Sequence, residues 1–177
     1  MNSVFDGSNF QIKNYVIRFA TKKTDYTASI GTFSLAYRSI IHSVKISNFK
    51  IYVTQSDETT PQPFHTASLV ADLNDSIVIN SSASNGLIET VPNVWFIGGL
   101  VARGCSSEVH ASFSQVHIHI LSTARNAANE GIASGWVGGF PCGNNVNSVT
   151  NSYSLTTIQK DDGPTQALKL AGIKGGG

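Results

Sequence analysis

Residues 97–120 read IGGLVARGCSSEVHASFSQVHIHI, and the reading of this stretch decides the fold. Its second half alternates: Val116, Ile118 and Ile120 interleave with His117 and His119, the two-residue period of a strand with one buried face. The same plan returns at residues 30–53, IGTFSLAYRSIIHSVKISNFKIYV, and at residues 134–158, SGWVGGFPCGNNVNSVTNSYSLTTI. Each copy opens on glycine and a short apolar pair, crosses small and polar residues, and resumes at a β-branched residue (Val44, Val109, Val146). Ser or Asn then precedes an aromatic (Phe49, Phe113, Tyr153). The opening turns carry Gly31 in one copy, Gly98 and Gly99 in the next, and Gly135, Gly138 and Gly139 in the third. Two weaker copies surround these, ASLVADLNDSIVINSS at 67–82 and the half copy IKNYVIRF at 12–19.

Anchoring each copy on its first apolar residue gives Phe33, Leu69, Leu100, Val137 and Ile173, spaced by 36, 31, 37 and 36 residues. The variation falls in loop-like segments, so insertions collect on one side of a repeating unit. A half-buried strand recurring at this interval cannot bury its apolar face alone, whereas stacked copies can. The expected fold is therefore all-β: a parallel β-solenoid in a single domain, residues 1–177, with coils near 5–29, 30–66, 67–96, 97–133 and 134–169 and an incomplete coil at 170–177. An antiparallel β-sandwich or jelly roll is the alternative, since it too uses many short strands with Gly and Asn turns.

The segments GGLVARGCSSEVHASFSQVHI (98–118) and GWVGGFPCGNNVNSVTNSYSLTTI (135–158) resemble the GLUG-type repeat. That resemblance implies a right-handed parallel β-helix of the kind found within large surface or secreted proteins of bacteria and some protists. It implies no catalytic residues.

The chain of 177 residues carries 12 Lys and Arg against 11 Asp and Glu. A net charge of +1 with 13% charged residues fits neither a disordered polyelectrolyte nor a nucleic-acid-binding arm, so no nucleic-acid partner is expected. Solubility rests on 22 Ser, 14 Asn and 14 Thr. Charge is segregated: residues 1–53 hold seven basic and two acidic side chains, residues 54–100 none and five. The longest apolar run, VWFIGGLVA at 94–102, is too short for the ~20 residues of a spanning helix. The opening MNSVFDGSNF has no basic and apolar leader pattern.

Chemistry-bearing residues are sparse in pattern. Asp72 and Asp75 in ADLND, and Asp161 with Asp162, form the carboxylate pairs that sugar-cleaving β-helices use; turn and surface roles fit them better. His117 and His119 point to one strand face with His110 nearby, the only metal-ligand candidates, and no carboxylate or Cys stands at ligand spacing beside them. There is no GxSxG elbow. Neither cofactor nor enzymatic activity is expected. Asn74 and Asn80 head glycosylation sequons. The coil register makes two predictions about pairs. Asp72 and Arg103 each lie three residues past an anchor, so they should stack as an ion pair. Cys105 and Cys142 each lie five past an anchor, so they should stack about one strand spacing, roughly 4.8 Å, apart, close enough for a disulfide. The function these features suggest is a structural or adhesive repeat module, extracellular or at a cell surface. Its partners would be itself or neighbouring repeats, head to tail. The alternative is a carbohydrate-binding or carbohydrate-cleaving β-helix protein.

Overall fold

Short β-branched runs broken by residues with left-handed backbone cut this chain into brief straight strands. The structure, a computed structural model, describes residues 3–21, 28–55, 64–90, 96–121, 132–134, 148–161 and 169–171. The first strands are β1 (Ser3–Asp6), β2 (Gln11–Lys13), β3 (Val16–Thr21) and β4 (Ala28–Ile30). A second set follows: β5 (Phe33–Tyr37), β6 (Ser39–His42), β7 (Lys45–Ser47), β8 (Lys50–Gln55) and β9 (Phe64–Ala67). The third is β10 (Val70–Asn74), β11 (Ile77–Ile79), β12 (Ser82–Thr90) and β13 (Phe96–Gly98). Then come β14 (Val101–Cys105), β15 (Glu108–His110), β16 (Phe113–Ile120) and β17 (Ile132–Ser134), and last β18 (Ser148–Thr150), β19 (Tyr153–Ser154), β20 (Thr157–Lys160) and β21 (Lys169–Ala171).

These strands form four sheets that the chain visits in a fixed order. The first sheet runs β1-β6-β11-β15-β18; the second joins β2, β3, β7, β8, β12, β16, β19 and β20; the third runs β4-β9-β13-β17-β21; the fourth runs β5-β10-β14. Every pairing is parallel and joins one circuit, meaning one pass of the chain through these sheets, to the next, which rules out the antiparallel sandwich among the described strands.

The core is built from rows of like residues. Ile17, Ile51, Ile88, Ile118 and Ile158 stand in register across the second sheet. Phe5, Ile41, Val78, Val109 and Val149 do so across the first. The middle members of both rows are buried, and a buried Ile or Val contributes ~1.5–3 kcal/mol relative to exposure.

Corners are columns as well. Arg38, Asp75 and Ser106 have positive φ at one bend; Ser43, Asn80, Ala111 and Asn151 at the next; Asn14, Asn48 and Asn85 at a third. Asn and Asp are the non-glycine residues that tolerate this conformation best, which accounts for the Asn-rich sequence. The third column ends at Asn85. The pairing of β12 with β16 skips that residue between Ser84 and Gly86, and β16 runs unbroken where β7 and β8 are separated by Asn48 and Phe49.

The observed register also departs from several sequence-based equivalences, before that corner as well as after it. Val109 stands beside Val78 and Val149, and Val78 beside Ile41, so Ile41 and Val149 take the places expected for Val44 and Val146. Phe113 does meet Tyr153, but the first-copy residue in that row is Lys45, not Phe49. Phe33 pairs with Val70 rather than Leu69, making the first step 37 residues. Ser134, not Gly135, lies beside Gly98. Matching residue types aligns side chains that look alike, whereas hydrogen-bond register aligns the positions that actually meet.

Candidate functional site

Asp72 and Arg103 are register partners on β10 and β14, with Arg103 Nη1 3.2 Å from Asp72 Oδ2. The fold adds a third member that the sequence reading missed. His65 on β9 lies with its Nδ1 3.6 Å from the same Asp72 oxygen, and its side chain is 4% exposed. Asn74 Nδ2 donates to the other Asp72 oxygen at 3.0 Å. The His65 ring packs on Phe96 at 5.2 Å, and Phe96 joins Ala67 and Ala102 in a small apolar cluster separate from the main core. The small residues Ala67, Ala71 and Ala102 let the third and fourth sheets approach here. A His and an Asp flanking such a run, as in HTASLVAD, was the one available signal.

His65 Nδ1 and Thr66 Oγ1 are buried without a hydrogen-bond partner. Asp72 therefore faces Arg103 on its half-exposed side and His65 on its buried side. Such a cluster links β9, β10 and β14 across the third and fourth sheets. Removing one member of a buried ion pair is strongly unfavourable, whereas forming the pair yields little.

The outer face of the second sheet is the accessible counterpart. Arg18, Tyr52, Glu89, His119 and Gln159 form one row across it. The Arg18 guanidinium lies 4.7 Å from the Tyr52 ring centroid. His119 is clamped between circuits, Nε2 2.8 Å from Asp161 Oδ1 and Nδ1 3.4 Å from Glu89 Oε2. The hydrogen bond to Asp161 is the main cause that raises the His119 pKa above 6.5, with Glu89 adding to it against partial desolvation. His117 takes a different partner, Thr157 Oγ1 at 2.8 Å, and its ring centroid is 6.3 Å from that of His119. His110 bonds Glu108 Oε2 at 2.6 Å and also contacts Thr150.

The carboxylates that sequence spacing did not place beside His119 thus arrive from neighbouring circuits, 30 and 42 residues away. They engage both ring nitrogens. Among the described residues no group of three or more His, Cys, Asp or Glu is placed to hold a metal ion.

Hydroxyls form the most regular polar feature. The Ser39 N–H donates to Ser76 Oγ at 3.0 Å and the Ser76 N–H to Ser107 Oγ at 3.2 Å. At the next bend Val44, Ser81 and Ser112 donate in turn to Ser81, Ser112 and Ser152 Oγ at 3.2, 3.1 and 3.0 Å. Each accepting hydroxyl in turn donates to the carbonyl two residues before it, as Ser81 does to Ile79 at 2.9 Å. The left-handed residue just before each serine turns the strand, and the hydroxyl caps the N–H that the bend takes out of the sheet. Asn80 thus heads a sequon whose Ser81 is part of this device and whose Ser82 is buried beside it.

Of the remaining sequence candidates, Cys105 is disulfide-bonded, while Cys142 lies outside the described residues. A Cβ on Gly98 would overlap the Val101 carbonyl, and one on Gly31 would sit 3.0 Å from the Ala67 carbonyl oxygen, although Ala67 and Ser134, the register neighbours of Gly98, carry side chains. Gly99 is in the same bend, and Gly135, Gly138 and Gly139 lie outside the described residues. Asp75 serves as a left-handed corner residue, 3.9 Å from Arg38. No helix is long and apolar enough to cross a membrane among the described residues.

Compared with known proteins, the chain matches no protein family, no curated protein and no solved structure.

Proposed function

We propose that the chain is a closed, right-handed parallel β-helix that serves as a structural or adhesive module, stacking into an elongated assembly outside the cell. The observation that carries this reading is the pair of serine columns crossing successive circuits. Their hydroxyls are consumed in holding one circuit to the next, as a scaffold requires and a catalytic groove does not. Right-handedness follows the general rule for parallel crossovers and agrees with the likeness to GLUG-type repeats. The bonded Cys105 agrees with an oxidising compartment. Negative-stain imaging of the purified chain tests the proposal: rods or filaments support it, and compact round particles overturn it.

A second reading, glycan binding, draws on one feature. Phe113 and Tyr153 stack nearly parallel, 5.3 Å between centroids at 4°, with Tyr153 53% exposed. A flat exposed ring is the platform a sugar face packs on. Glycan-array binding lost in Tyr153→Ala would favour this reading over a purely structural one.

A further inference from the structure

Among the described residues, all nine exposed large hydrophobics lie on an edge strand of a sheet or one residue from it. Val4 and Phe5 are on β1, Phe10 and Ile12 at β2, Val16 on β3, Leu35 and Tyr37 on β5, and Tyr153 and Leu155 at β19. Scattered exposed apolar residues are ordinary, but their confinement to the two ends of a stack marks surfaces made for contact. The rows explain what is incomplete there. Ile51, Ile88 and Ile118 are fully buried because each has a neighbour on both sides, while the end members Ile17 and Ile158 are only partly buried. Val149 is partly buried at one end of the valine row and Phe5 is 46% exposed at the other.

We propose that a second copy of this chain covers each end, head to tail, with β20 of one copy pairing in parallel with β3 of the next and Ile158 lying opposite Ile17. This proposal rests on the scaffold reading above and specifies its joint. Two observations select a copy of the same chain as the occupant. The strands at both ends run in the same direction, so a simple translation restores parallel pairing. The isoleucine row ends in isoleucine on both sides, Ile17 and Ile158, and continues unbroken across the joint. In the joint Arg18 stands opposite Gln159. Such a contact is heterologous and does not close, so it produces filaments rather than dimers.

The test uses the full chain in two single variants, Arg18→Cys and Gln159→Cys, mixed under mild oxidation after circular dichroism confirms their folding. Opposed residues on adjacent strands lie about 4.8 Å apart, inside the ~4.4–6.8 Å window for a disulfide. The expected result is a linked dimer whose bond maps to residues 18 and 159, lost when Lys13→Cys replaces Arg18→Cys, and a ladder of oligomers from the double variant. Rods on the grid without an 18–159 link overturn the joint and leave the scaffold reading standing. A strictly monomeric sedimentation profile at the highest attainable concentration, with single-chain rods, overturns the second copy as occupant. Compact round particles overturn the scaffold reading itself.

Discussion

A single hydroxyl carries a measurable share of stability here, because each serine of the columns serves two backbone groups at once. Ser81 accepts from the Val44 N–H, donates to the Ile79 carbonyl and is 1% exposed. Ser81→Ala leaves the Val44 donor without an acceptor, and the expected cost is ~1–3 kcal/mol. Urea denaturation followed by fluorescence measures it, and a change under about 0.5 kcal/mol would remove the column from the account of stability. The neighbouring Ala111 makes the opposite case. It holds φ 46° in a column whose other members include Asn80 and Asn151. Left-handed backbone costs an ordinary residue roughly 1–2 kcal/mol, and Asn lowers that cost. Ala111→Asn is therefore expected to raise the thermal midpoint by a few degrees, about 2–4 °C per kcal/mol at this chain length. An unchanged or lower midpoint in a calorimetric scan would contradict the corner reading. Of these corner residues the sequence reading gave only Asp75 a turn or surface role. The serine columns were not legible, because a serine's partner lies 31 to 40 residues away.

At the scale of the strand, two features decide how circuits fit. Gly86 stands where the third corner column ends, and a Cβ there would overlap the Phe49 ring of the previous circuit. Phe49 is 1% exposed, so the ring has no free side to move to. Gly86→Ala should destabilise by ~1–3 kcal/mol through overpacking, and Phe49→Leu in the same chain should recover part of the loss. Chemical denaturation of the two single variants and the double variant checks this, and strict additivity would show that the two sites do not touch. The second feature is His119 on β16, held by Asp161 and Glu89. Its folded pKa lies above its unfolded value near 6.5. Its contribution to stability is fully present below that unfolded value and is lost as pH rises through the folded pKa. An NMR titration should find the His119 imidazole the more basic in the folded chain, and Asp161→Asn should move it down. A titration unmoved by Asp161→Asn would exclude the cross-circuit clamp. Strand period alone placed His117 and His119 on one face; it did not show that their partners would differ.

For the molecule as a whole, the disulfide at Cys105 is the covalent constraint on a stack otherwise held by register. Peptide mapping without reductant should link the Cys105 and Cys142 peptides, and reduction should lower stability by ~2–4 kcal/mol. Free thiols at both positions in protein from an oxidising compartment would exclude the bond. The long-range character of the fold also fixes which parts could be read in advance. Composition and the two-residue period of VHIHI and KIYV determined all-β structure, because side-chain alternation is a local property of the extended backbone. Self-similarity at intervals of 31 to 37 residues pointed to stacked copies, and it placed Asp72 beside Arg103 because no bend was lost between those two circuits. Tertiary structure alone decided the rest: the exact register, the third partner His65, the clamp on His119 and the placing of β3 and β20 at the sheet edges among the described strands. Each of these depends on residues that meet only when one circuit lies on another. A residue's distance along the chain then no longer predicts its neighbour, because one residue gained or lost at a bend shifts every partner that follows.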